Sequence, residues 1–511
     1  MVTSFKAIVK NLGASFSSHA VAVLQQVALT PLFLHSYGAA GLGQWLALSA
    51  AVSYLGTLDF GVQTFVNQDL TVRYQRGEME GFHVRQSTAL RLLLGIVLTA
   101  STLGLVVLIL PLEHWLRMDG SGHGPALSAM VVRGTAYLLA LQMLFTIIFG
   151  FLCGQFMVIG RYHVGQHWNN IKNAAQILFA LPCLLLHTNF LIVALAILIA
   201  LILSIAGILI TLFRVGRDIF PTLRYWDGAS VPNILKPSGY FALIYSSNFF
   251  VYQVPVFLLQ RTVGPVSVAV FATTRTIFSM TRNVMNSFTQ ALGPEVTRLY
   301  ARRDWPSLSR LYDYSERLIF ALIPIANIGA LLLCPLLSVV WLRDRQMFVL
   351  PICVLCACIS IVMSAKEHKL QFQFSTNTHR ELGRFFFASY VVLVLLWLVV
   401  IPRFGVVGLL WAWFAAEVAQ LLYIMHLNAK FFADHETLSI RYPVRMAGLS
   451  VACVAAAAFA LPFTAALRLP QQAALAVAVG ILMLALDIPL FGLAPVWESV
   501  RLRLQKRFAR A

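Results

Sequence analysis

The sequence predicts an all-α polytopic membrane protein of about 14 transmembrane helices, arranged as two six-helix repeats followed by two further helices. Three observations predict it. The first is composition. Of 511 residues 59% are hydrophobic and 11% charged, against about 25% charged in soluble domains, and the mean hydropathy is +0.78. A soluble enzyme, a disulfide-rich secreted domain, a fibrous protein and a disordered chain are all excluded. The second is a series of apolar stretches, each close to the roughly 20 residues that cross about 30 Å of hydrocarbon. The third is charge. With the N-terminus inside, 29 Lys and Arg fall in inner loops and tails and six in outer ones. A miscounted helix would scramble that alternation. The net charge of +18 therefore reads as cytoplasmic loops beside anionic lipid rather than as a nucleic-acid surface.

In chain order the stretches lie at 13–35, 41–66, 88–111, 127–152, 171–188 and 190–213, then 238–260, 264–292, 314–341, 347–365, 385–402 and 405–428. Two more follow at 446–466 and 472–494. The residues before the first carry Lys6 and Lys10 but no short apolar core with a cleavage site, so that stretch reads as a retained helix. Loops are short, with no GxxxxGK[ST] phosphate loop, which argues against a built-in ATPase. The seven cysteines lie within apolar segments. Cys353, Cys356 and Cys358 have no His or acid close by, and small-residue helix packing is the simpler reading than a metal site.

The repeat appears at an offset of 226 residues. Gly38, Trp45, Tyr74, Arg76, Glu78 and Arg91 recur as Gly264, Phe271, Tyr300, Arg302, Asp304 and Arg317. An even number of helices per repeat makes both enter from one side, so the symmetry axis should run along the membrane normal with a cleft between two bundles. The expected organisation is 1–213, 214–430 and a two-helix appendage with a basic tail, 431–511.

Charges left inside the membrane mark function, because one Arg or Asp at mid-helix costs about 2.5–3.5 kcal/mol on insertion scales. They are Arg133, Arg275 and Arg282, with Asp59, Glu417 and Asp487. Arg275 and Arg282 are two turns apart and share a helix face with Ser279 and Asn286. Arg275 should lie about 16 Å deep, beyond snorkelling reach. Together with Arg133, and with Gln25 and Gln253 from the polar first and seventh stretches, they are the candidate cavity residues. Arg133 could instead snorkel to the outer surface. Glu417 and Asp59 are the candidate coupling acids, a structural hydrogen bond or ion pair being the alternative for each. Asp487 is expected to contact a neighbouring helix. No cofactor is implied.

The run Tyr37-Gly38, Gly41-Leu42-Gly43-Gln44-Trp45 and Leu58-Asp59-Phe60-Gly61, with the fourteen-helix two-repeat plan, resembles the polysaccharide-transporter (Wzx-type flippase) branch of the multidrug/oligosaccharidyl-lipid/polysaccharide (MOP) exporter superfamily. The resemblance implies translocation of undecaprenyl-diphosphate-linked oligosaccharide across the bacterial inner membrane by alternating access through a cationic cavity. It also implies surface-polysaccharide (O-antigen-type) biosynthesis, membrane lipids and polysaccharide polymerase machinery as partners, an H⁺ or Na⁺ counter-ion, and no nucleic acid. Related lipid II flippases place arginines in their first two helices, whereas no Lys or Arg occurs here between Asn11 and Arg73. A cation-coupled multidrug antiporter of the same superfamily is the alternative. A membrane-embedded glycosyltransferase would need a larger loop with catalytic acids.

Overall fold

The computed structural model describes the backbone over residues 5–59, 62–121, 124–235, 247, 249–301, 303–376, 378, 380–435, 437–465 and 467–492, and most side chains from Leu29 onward. The helices are α1 Phe5–Ser53, α2 Val62–Gln75, α3 Met79–Gly104, the one-turn α4 Leu112–Trp115, α5 Ala129–Val158, α6 Tyr162–Leu185 and α7 Phe190–Val215. They continue as α8 Val254–Thr262, α9 Pro265–Ala301, α10 Trp305–Val340, α11 Leu350–Ser375, α12 Arg380–Phe432, α13 Arg441–Thr464 and α14 Leu469–Leu490. No strand occurs among the described residues. Among the same residues, eight helices are long and apolar enough to cross a membrane. The 30 residues of α5 extend about 45 Å, more than the hydrocarbon thickness.

Local chemistry sets the boundaries. Ser128 and Asn189 cap α5 and α7 by accepting from Val131 and Ile192, which satisfies amides that a helix start leaves open. Pro255, Pro306, Pro351 and Pro470 sit in the first turn of α8, α10, α11 and α14, where a missing N–H costs nothing. α1 and α12 each hold two helical stretches that meet at a glycine, Gly38 (φ 69°) and Gly405 (φ 56°). Positive φ is the conformation glycine adopts without a Cβ penalty. The second apolar stretch, 41–66, is broken by a short turn over Tyr54–Thr57. Several helices start or end well beyond their apolar stretch, α3 at Met79 and α11 at Ser375. Hydropathy marks the lipid-immersed part of a helix, and the hydrogen-bonded ladder continues past it.

The chain forms two compact units, Met1–Ala269 and Val270–Ala511. In the first, Phe82, Leu93, Leu144, Phe151, Phe156 and Leu201 form a fully or nearly fully buried core between α3, α5 and α7. Gly43 lies against the backbone of Pro265, so close that an added Cβ would fall 1.8 Å from its carbonyl oxygen. Gln44 donates to the Pro125 carbonyl at 2.8 Å. The connector after α7 is strapped to the first turns of α3, with Gln86 donating to the Ile219 carbonyl at 2.8 Å and the Asp227 amide to Thr88 at 3.1 Å.

Some positions that the sequence pairs at an offset of 226 residues share a local conformation. Gly38 and Gly264 both have positive φ, as do Gly77 and Arg303, and Glu78 and Asp304 are the N-cap residues of α3 and α10. Arg302 lies outside the described residues.

Candidate functional site

The sequence-predicted wall lies on α9. Seven residues are two turns, so Arg275 and Arg282 share a face with Ser279 and Asn286. The Arg275 guanidinium stacks over the Phe271 ring at 5.1 Å. Ser279 donates back to the Arg275 carbonyl at 2.8 Å, and Asn286 accepts from Thr289 at 3.2 Å. Arg282 points Nη1 at the Met363 sulfur, 3.4 Å away. Both arginines are half-buried. Thr281 is bonded to Asn327 at 3.0 Å and Ser360 at 3.3 Å, which fixes α9 against α10 and α11.

The structure adds a polar layer that the sequence had hidden. Lys366 and Lys369 count as inner-loop residues by hydropathy, but α11 runs through them and both are buried, 3% and 2% exposed. The loop assignment is thereby corrected. Lys366 forms an ion pair with Glu417 and also donates to Tyr390 at 3.0 Å and Gln420 at 2.7 Å. Glu417 accepts further from Tyr390 and Trp413, both at 2.9 Å. Lys369 forms an ion pair with Glu316 and donates to Tyr312 at 2.7 Å. Between the pairs, His368 shares a hydrogen bond of 2.8 Å with Ser315. A buried ammonium is tolerated only when paired and hydrogen-bonded, and here both lysines are. Glu316 was missed because it opens an apolar stretch. The available signal was two lysines on a continuing helix, with acids on the flanking helices to meet them.

Arg133 lies near the start of α5, bonded through Nε to Glu113 at 2.9 Å and through Nη2 to the same carboxylate. That guanidinium holds the Glu113 carboxyl below its usual range. Asp59 is buried in the turn before α2, where its carbonyl accepts from the Val62 amide at 2.8 Å. Arg73, the basic residue closest in sequence, forms ion pairs with Asp69 and Glu78. Gln253 is the half-buried N-cap residue of α8. The side chain of Gln25 lies outside the described residues, as do Phe60 and Gly61 of the Leu-Asp-Phe-Gly run. An apolar cavity of about 580 Å³ occupies the second unit, lined by Phe320 of α10, Cys358 and Val362 of α11, Phe414 and Leu421 of α12 and Val454 of α13.

The comparisons with known proteins bear on the fold. The chain has the fold of the MOP-superfamily transporters. Its fold matches a multidrug-resistance MATE-family transporter of that superfamily in an inward-facing conformation. The TM-score is 0.67 at 15% identity, over 84% of this chain and 99% of that one. The lipid II flippase MurJ, in an inward closed conformation, matches with a TM-score of 0.67 at 11% identity, over 95% and 98%. The MATE multidrug transporter DinF-BH gives 0.59 at 16% identity, over 83% and 95%. These neighbours are transporters and a flippase, not enzymes. No family model matches the chain, and no curated protein matches it in sequence.

Proposed function

We propose that the protein is a flippase of the bacterial inner membrane, with both termini cytoplasmic. In this reading it moves undecaprenyl-diphosphate-linked oligosaccharide outward, by alternating access, for surface-polysaccharide assembly. The observation that carries the reading is the pair of guanidinium groups on one face of α9. A diphosphate headgroup crossing hydrocarbon needs a cationic, hydrated path, and arginine meets phosphate oxygens with a planar two-pronged donor set. Arg275 and Arg282 bind the diphosphate, with Ser279 and Asn286 on the same wall and Gln25 and Gln253 as further cavity residues. Arg133, tied to Glu113, acts through the outer end of the path.

The multidrug-antiporter reading requires carboxylates ready to receive a cation. Two buried acids of the second unit are instead engaged by lysines, Glu417 by Lys366 and Glu316 by Lys369. The apolar cavity of that unit also offers surroundings in which a prenyl chain meets no polar wall. With the cytoplasm negative, each charge moved outward gains about 2.3 kcal/mol per 100 mV, so net export of a diphosphate needs no ATP. Glu417 is the coupling acid of this reading, since a proton arriving there breaks its bond to Lys366. Asp59 is the second candidate. Polymerase machinery is the partner that would receive the flipped substrate.

The experiment is complementation of a deletion strain. Arg275→Ala, Arg282→Ala and the double variant should leave lipid-linked precursor on the cytoplasmic face at normal protein levels, and Arg275→Lys should recover part of the export. Normal export in the double variant would overturn the phosphate clamp.

A further inference from the structure

The last turns of α14 carry an acid that the proposed path does not use. Asp487 is completely buried, and neither of its carboxylate oxygens has a hydrogen-bond partner. Cys453 of α13 is a titratable neighbour of Asp487. Within α14 itself, Pro489 has no N–H to give the carbonyl of Ala485. The two helices are tied at this end by Arg445, which donates to the Leu490 carbonyl, and by Tyr442 stacked on Phe491 with ring centres 6.2 Å apart. The result is a buried carboxyl without a donor, at the end of α14 that Arg445 and Tyr442 tie to α13.

An ionised carboxylate without a donor is strongly disfavoured in such surroundings, and the group takes up a proton instead. Several ionisable groups on the neighbouring helices are engaged with other residues. On α10, Asp313 pairs with Arg317 at 2.5 Å and Glu316 with Lys369. On α13, Arg445 holds Leu490, and Tyr442 lies 4.9 Å under the Arg317 guanidinium. The two carboxylate oxygens also fall short of the six or so that a hard cation gathers, roughly as calcium and magnesium do. A proton supplies the donor that the carboxyl lacks.

We infer that Asp487 is a proton-binding site in the two-helix appendage, separate from the Lys366–Glu417 pair and occupied at neutral pH. Arg445, donating three residues further along α14, is the cation placed to meet the carboxylate when the proton leaves. The ligand is a proton and not a metal ion. The site stands whatever the transported substrate is.

Dicyclohexylcarbodiimide tests this directly, because it reacts with protonated carboxyls in apolar surroundings. The full-length protein in liposomes would be treated at about pH 7, where an ordinary aspartate of pKa about 3.9 is ionised and unreactive, and its peptides weighed. The expected result is an adduct on Asp487, lost in Asp487→Asn and unchanged by sodium chloride. Protection by sodium would assign a cation site and overturn the proton. So would the absence of an adduct on folded protein when the denatured protein at low pH is modified.

Discussion

Lys366 shows how a single residue changes the account of its neighbours. In sequence Glu417 stands alone, fifty-one residues from the lysine that meets it, and no helical spacing rule joins the two. Hydropathy ends the tenth apolar stretch just before Lys366 because an ammonium reads as a loop. The helix continues because partners on α10 and α12 satisfy it. Removing one member of a buried pair leaves an uncompensated charge, at about 3–5 kcal/mol, whereas replacing both with apolar groups is often neutral. Glu417→Gln and Lys366→Met should therefore each lower abundance and thermal stability. The double variant Lys366→Met with Glu417→Leu should recover stability, and the proposed coupling role predicts that it will not transport. Full transport by the stable double variant would make the pair purely structural. The shared face of Arg275 and Arg282 was legible for the opposite reason, since seven-residue spacing on one helix is a local signal.

Among the elements, the order of helices followed from hydropathy and charge, while their ends and joints followed from backbone chemistry. Gly38 and Gly264, paired in sequence at an offset of 226 residues, both adopt positive φ, a conformation that favours glycine. The break after Ser53 was not visible, because Tyr54-Leu55-Gly56 is as apolar as the helix before it. The Gly41-Leu42-Gly43-Gln44 motif makes sense only with Pro265 in place, a contact between residues more than two hundred positions apart. Gly43→Leu should strain that approach by about 1–3 kcal/mol or more and lower the melting temperature in detergent. Gly448 on α13 has nothing within 4 Å of an added Cβ, and Gly448→Ala should be neutral or slightly stabilising because alanine is about 1 kcal/mol better in a helix. Equal stability of the Gly43 variant and the wild type would contradict the close packing.

For the whole molecule, the composition reads as a polytopic membrane protein, and the fold is that of MOP-superfamily transporters. The proposed orientation rests on the excess of basic residues in inner loops. In a cysteine-free background, Arg343→Cys should react with an impermeant maleimide added to spheroplasts, and Arg224→Cys should react only after permeabilisation. The reverse pattern would invert the topology and with it the direction of transport. The central claim is that the α9 arginines carry a lipid diphosphate. Its most direct measurement is the rate at which purified protein in liposomes moves a fluorescent undecaprenyl-diphosphate oligosaccharide between leaflets. Charge-assisted bonds to phosphate contribute about 1.5–3 kcal/mol each, so Arg275→Ala with Arg282→Ala should slow the movement about tenfold or more. Wild-type movement by the double variant, or uptake of an organic cation with no movement of the lipid, would contradict the account.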